Sequence, residues 1–227
     1  MHWFYEPTFS SESNQISSEE LKHFSSLRIR PGEQVTLTDG RGTSYLCEVL
    51  DPNSGSIQIL ETHKHKAPET KIHLVQALAK GGRDEMALQM AIELGASSVT
   101  PWEASNSISN WRGKEEKSRE RWQQIAISAM KQSQQAFLPV VAPLTFDPKP
   151  FGHGVLLDLE AEATISSIPE ATEYTVVVGP EGGITSRERE KLIDSGFTPY
   201  RIGPTVLRTS SAGPAAISAL WTLRGTW

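Results

Sequence analysis

Hydrophobic and polar positions change rhythm once along this chain. Up to about residue 60 the apolar residues fall in short alternating runs, and beyond residue 71 they fall in unbroken runs that take turns with stretches of helical period. Residues 33–38, 43–50 and 56–60 carry the alternation and β-branched content of strands. Asp39-Gly40-Arg41-Gly42 and Asp51-Pro52-Asn53-Ser54-Gly55 are turn sequences between them. Before the strands, Ser17 and Glu20 frame a short helix. Short antiparallel strands in so small a segment predict a closed β-barrel.

The second rhythm is strand then helix. Residues 71–79 read as a strand, followed by a helix over 83–94 that Gly95 stops. Residues 98–102 read as another strand, followed by a basic helix in which Trp122, Ile125, Ala126, Ala129 and Met130 recur at i, i+3, i+4, i+7 and i+8. That stripe faces a core. Residues 155–159 read as a strand, and 174–178 are apolar without alternation, as a strand covered on both faces is. Thr185 and Glu188 form a capping box, Gly196 ends the helix over 186–195, and a strand over 199–203 follows. The last helix is predicted from about residue 212 to 223, with Pro214 tolerated in its first turn. The expectation is an α/β fold: a small barrel over 1–68, then a mostly parallel sheet with helices on both faces over 72–227.

Two glycine-bearing segments sit where such a sheet holds ligands. Gly179-Pro180-Glu181-Gly182-Gly183 and Ile202-Gly203-Pro204-Thr205-Val206-Leu207-Arg208 each follow a strand and precede a helix. Carboxyl ends of buried strands are the usual ligand edge of open α/β sheets, so the two loops predict one pocket at adjacent strand ends. Gly182 is expected at positive φ, where a β-branched residue would not fit. Read alone, Gly-Pro-Glu-Gly-Gly is equally an ordinary tight turn. Neither loop is Gly-x-Gly-x-x-Gly, and no Gly-Lys-Ser/Thr occurs, so dinucleotide and P-loop fingerprints are missing.

Composition removes several classes. The 227 residues are 37% hydrophobic, enough for more than one core. Cys47 is the single cysteine, which excludes a disulfide framework, and its apolar neighbours make packing its expected role. No basic-then-apolar leader opens the sequence and no apolar run is long enough to span a bilayer, so a cytoplasmic protein is expected. His63 and His65 lack partners at metal spacing, and no Gly-x-Ser-x-Gly elbow appears, so neither a metal nor a serine nucleophile is expected. Net charge is −5, yet residues 71–140 hold 9 basic against 7 acidic side chains. Arg112, Lys114, Lys117, Arg119, Arg121 and Lys131 lie on or beside the basic helix, interleaved with Glu115, Glu116 and Glu120. That face is either a phosphate-facing patch or a solvated salt-bridged one.

Taken in order, these segments resemble the ribosomal RNA small subunit methyltransferase E family, knotted SPOUT enzymes that methylate N3 of one uridine in small-subunit (16S) ribosomal RNA. The likeness rests on Gly179–Gly183, on 202–209 and the alanine-rich last helix, on Gln76-Ala-Leu-Ala-Lys80-Gly-Gly-Arg-Asp-Glu-Met86, on Ala91-Ile-Glu-Leu-Gly95 and on Lys131-Gln-Ser133. It implies a trefoil-knotted sheet behind a PUA-like barrel, S-adenosylmethionine as cofactor, a homodimer, and ribosomal RNA or the small-subunit particle as partner. In cofactor binding it implies Gly179, Pro180, Glu181, Gly182, Gly183, Ile202, Gly203, Leu207 and Arg208, with Leu157 and Glu160 from a third loop. Arg208 is the implied catalytic residue, stabilising charge as the uracil N3–H is lost; the other role for it is a salt bridge that shapes the loop. Arg28, Arg30, Arg41 and Lys131 are the RNA-contact candidates, against the ordinary reading of surface cations. Trp221, Leu223 and Trp227 are expected to supply apolar surface to the dimer.

The chain departs from the family in two places. Ser210 and Ser211 stand where the family has glutamate and threonine, and the opening Met1-His-Trp-Phe-Tyr5 replaces arginines. Two other readings stay open: an RNA-binding or ribosome-assembly protein that kept the fold without catalysis, and a binder of nucleotide phosphate through the glycine loops.

Overall fold

A computed structural model describes all 227 residues, which form two units. The first comprises Met1–Ala67 together with Met130–Leu138. Its sheet runs β1 (His2–Tyr5), β2 (Gln34–Thr38), β3 (Thr43–Asp51) and β4 (Ser56–Lys64) in that spatial order. Helix α1 (Ser18–Leu27) lies between β1 and β2 in the chain. Phe4, Phe24, Leu37, Cys47, Val49 and Ile57 are almost wholly buried and form its core, and burial pushes the Cys47 thiol up to about 12. β1 was not expected, because four residues carry too little pattern, and it pairs with β2 in parallel. The four strands make an open row with no β1–β4 ladder, so the expected ring of strand pairs is not closed. Residues from far along the chain extend it: Leu138 N donates to Gly40 O at 2.8 Å and Thr38 Oγ1 to Ala136 O at 3.2 Å.

The α1 cap is shared rather than boxed. Ser17 Oγ accepts from Glu20 N at 3.4 Å, but the Ser17 amide donates to Glu6 Oε1 at 2.6 Å, not to Glu20. Glu20 turns inward instead, where it is 4% exposed and accepts from Lys131 Nζ at 2.8 Å and from the Tyr5 amide at 3.1 Å. A buried carboxylate needs such partners, since its desolvation is otherwise prohibitive.

The second unit spans Pro68–Ala129 and Pro139–Trp227. Its strands are β5 (Lys71–Ala77), β6 (Ser98–Trp102), β7 (Val140–Val141), β8 (His153–Leu157), β9 (Glu173–Val178) and β10 (Phe197–Tyr200). They stand in the order β10-β8-β9-β5-β6-β7, and every pair is parallel. The helices are α2 (Arg83–Glu93), α3 (Glu115–Gln132), α4 (Ser186–Asp194) and α5 (Thr209–Leu223). Successive residues of β9 enter different cores: Tyr174, Val176 and Val178 join α2, α3 and α5, whereas Val177 joins Leu192 of α4. Both sheet faces are therefore covered, which is why β9 shows no alternation.

Three expectations change here. The strands carrying the glycine loops are not adjacent, because β8 lies between β9 and β10. Sequence order cannot reveal such an insertion. Helix α5 begins at Thr209, so Pro214 lies in its second turn and leaves the Ser210 carbonyl without its intrahelical donor. Small residues explain why the helix persists: a Cβ on Gly213 would stand 2.8 Å from Leu74 Cδ1, so α5 lies close on the sheet. Finally, Trp221 is buried at 5% exposure and donates from Nε1 to Leu94 O at 2.7 Å, so it is core rather than free surface.

Candidate cofactor site and RNA-facing residues

The carboxyl ends of β9, β8 and β10 bring three loops to one edge of the sheet. The loop after β9 is tied down at almost every peptide. Thr209 Oγ1 donates to Gly179 O at 2.8 Å and itself accepts from Gln76 Nε2 at 2.9 Å. Asn106 Nδ2 donates to the carbonyls of Gly182 and Gly183 at 3.1 and 3.0 Å. Glu181 pairs with Arg83 at 3.1 Å, at the start of α2. Gln76, Asn106 and Thr209 were not singled out from the sequence as site residues; a wholly buried glutamine inside an apolar strand was the available signal for one of them.

Gly183, not Gly182, has the left-handed conformation, at φ 77°. Gly182 is required for a different reason, since a Cβ there would meet Asn106 Cβ at 3.0 Å and its carbonyl oxygen at 3.2 Å. Gly179 is tighter still, 2.6 Å from Ile184 Cγ1.

Helix α4 starts from a complete capping box. Glu188 N donates to Thr185 Oγ1 at 3.2 Å, and Glu188 Oε2 accepts from the Thr185 amide at 3.0 Å. Its other oxygen accepts from Ser105 N at 2.7 Å. Burial raises the Glu188 pKa, but these hydrogen bonds from Thr185 and Ser105 outweigh it and hold the carboxyl below the ordinary range.

The loop after β10 has fewer ties from other segments. The amides of Gly203, Thr205, Val206 and Leu207 donate to no backbone acceptor, and a Cβ on Gly203 would meet nothing within 4 Å. Ile202 is half-buried against the main core, and so is Leu157 at the end of β8. Arg208 is exposed at the N-cap of α5 and has no ion pair, so the loop-shaping salt bridge is absent. In the third loop Glu160 is exposed, and the anchoring residue is Asp158, whose Oδ2 accepts from Arg189 Nε at 2.7 Å. Gln76 Oε1, buried beneath α5, has no partner.

The cations divide clearly. Arg28, in a left-handed C-cap at φ 56°, and Arg30 are exposed, and the Arg41 side chain is 70% exposed and only 3.8 Å from Asp39. Lys131 does not belong with them: its ammonium is bound by Glu20, and its side chain is 15% exposed. On and beside the basic helix Arg119 pairs with Glu116 and Arg121 with Glu85, while Arg112 lies 3.7 Å from Glu103.

Comparison with known proteins assigns this architecture. Residues 65–221 match a model of an RNA methyltransferase domain, and residues 16–62 match an RNA methyltransferase PUA domain. A Mycobacterium bovis protein named ribosomal RNA small subunit methyltransferase E is 35% identical over 215 residues, covering 88% of this chain and 82% of its own. The chain belongs to the ribosomal RNA small subunit methyltransferase E family. The Bacillus subtilis member is 30% identical over 234 residues, covering 94% of this chain and 90% of its own. A Neisseria gonorrhoeae member, solved bound to S-adenosyl methionine, superposes with a TM-score of 0.89 at 29% identity, covering 98% of both chains. No helix of this family member is long and apolar enough to cross a membrane.

Proposed function

We propose that this protein transfers a methyl group from S-adenosylmethionine to N3 of a uridine in small-subunit ribosomal RNA, acting as a homodimer in the cytoplasm. The observation that carries the reading is the pairing of two loops at one sheet edge: one held rigid by Thr209 and Asn106, the other with its amides unpaired and open space beside Gly203.

The residues present fit the cofactor. Unpaired amides at 203, 205, 206 and 207 supply hydrogen-bond donors, and half-buried Leu157, Ile202 and Leu207 supply apolar surface. When bound, S-adenosylmethionine supplies a methyl on a positively charged sulfur, an electrophile that needs no activation by the protein. The protein's share is to orient, to exclude water and to manage one proton. Gly179, Pro180, Glu181, Gly182 and Gly183 form the fixed wall; Ile202, Gly203, Leu207 and Arg208 form the adjustable one, and Leu157 and Glu160 border it. Arg208, charged and unpaired, stabilises the uracil as its N3–H is lost. Arg28, Arg30 and Arg41 hold RNA phosphates, and Lys131 fastens α1 through Glu20 instead. Support for the dimer is reduced by the burial of Trp221, and rests on Leu223 and Trp227, exposed at 40% and 59%.

The test is transfer of tritiated methyl to unmodified small subunits, with mapping of the labelled base. Label at uracil N3 in one nucleotide is expected. Cofactor binding without transfer to any RNA would instead favour an assembly factor that kept the fold, the reading that Ser210 in place of glutamate suggests.

A further inference from the structure

The second unit holds a cavity of about 350 Å³ between the segment after β6, residues 146–148 and α4. It is none of the three loops described above. Ser107, Asn110, Phe146, Asp147 and Lys191 line it, with Trp102. Its volume is within the usual range for a small planar ligand.

Two features bear on what it holds. Phe146 is 69% exposed, an aromatic face left in water beside a polar cavity. The charged side chains of the lining are the carboxylates Glu103, Asp147 and Glu188 and the cations Arg112 and Lys191. Glu103 accepts from the Trp111 amide and faces Arg112, and Glu188 is occupied by Thr185 and Ser105.

A phosphate would find no excess of positive charge there. A nucleobase, neutral and planar and carrying both donors and acceptors on its edge, matches the lining, with its π-face for Phe146. The cavity also adjoins the fixed glycine loop, because Ser105 on its wall is bonded to Glu188 and the next residue, Asn106, to Gly182 and Gly183. We propose that this cavity receives one unpaired base of the RNA substrate close to the methylated nucleotide, setting the register of the target. The proposal rests on the RNA-methyltransferase reading above.

The test compares wild type with Phe146→Ala, Phe146→Tyr and Asp147→Asn in binding to an unmodified small-subunit RNA fragment, in S-adenosylmethionine affinity and in methyl transfer. Phe146 is exposed, so its loss leaves the fold intact. Loss of one stacked base is expected to weaken RNA binding by about tenfold or more in Phe146→Ala, with rescue by tyrosine and with cofactor affinity unchanged. RNA bearing 4-thiouridine beside the target is expected to crosslink to the peptide containing Phe146. Wild-type RNA affinity in Phe146→Ala overturns the proposal, as does Phe146-dependent binding of free nucleoside monophosphates with no effect on RNA. A wild-type protein that methylates no RNA overturns the function itself; one that methylates normally while every cavity variant matches it overturns only the cavity.

Discussion

The two glycine loops have similar sequences and differ in how many bonds from other segments hold them. Gly179–Gly183 has its carbonyls taken by Thr209 and Asn106 and its glutamate by Arg83, while 203–207 has amides with no partner and a glycine beside open space. The first behaves as part of the scaffold. The second is a set of donors waiting for an acceptor, and its low internal bonding marks it as a segment whose order depends on what it binds. One wall is preorganised and the other is completed by its ligand, which reconciles rigid positioning of the reacting groups with entry of the cofactor.

Each part of that contrast can be broken separately. Arg208→Ala should lower methyl transfer by about 10²–10³, as loss of a charge-stabilising group does, while thermal stability stays unchanged. Steady-state kinetics and a melting curve on one preparation check it, and an unimpaired rate would remove Arg208 from the reaction. Next come paired glycine replacements. Gly179→Val must displace Ile184 and should cost about 1–3 kcal/mol of stability by denaturant titration. Gly203→Val should cost less than about 0.5 kcal/mol and still abolish cofactor binding. Equal destabilisation by the two would mean the loops do not differ.

Asn106→Ala removes two hydrogen bonds from the fixed wall and should loosen it by about 1 kcal/mol, read as faster amide exchange at 182–185. Smallest is the effect of pH on the α4 cap. Because hydrogen bonds depress the Glu188 pKa in the folded state, its contribution is present above the carboxyl's unfolded value and disappears as pH falls through the lower folded one. Thr185→Ala should therefore cost about 1 kcal/mol at neutral pH and less below the ordinary glutamate range. A cost independent of pH would show that the carboxylate plays no part in the cap.

What was legible in the sequence was local. The unbroken apolar run of β9, the Thr185–Glu188 box and the core stripe of α3 each depend on neighbours within a turn or a strand, and all are present. What escaped was set by distant partners. Lys131 reads as a phosphate ligand until Glu20, 111 residues earlier, is seen to hold it. Trp221 reads as interface until Leu94 O accepts its indole N–H, and the role of Asn106 depends wholly on a loop some seventy residues away. The insertion of β8 between β9 and β10, and the membership of 130–138 in the first unit, are facts of topology that no period encodes.

The most direct test of the account is amide hydrogen exchange on the wild-type protein with and without saturating S-adenosylmethionine. Free amides at 203, 205, 206 and 207 should exchange fast without the cofactor and become strongly protected with it, while Gly183, whose amide already donates to Pro180 O, changes little. Protection already present without the cofactor, or a ligand effect confined to 179–183, would contradict the division into a fixed wall and an open one.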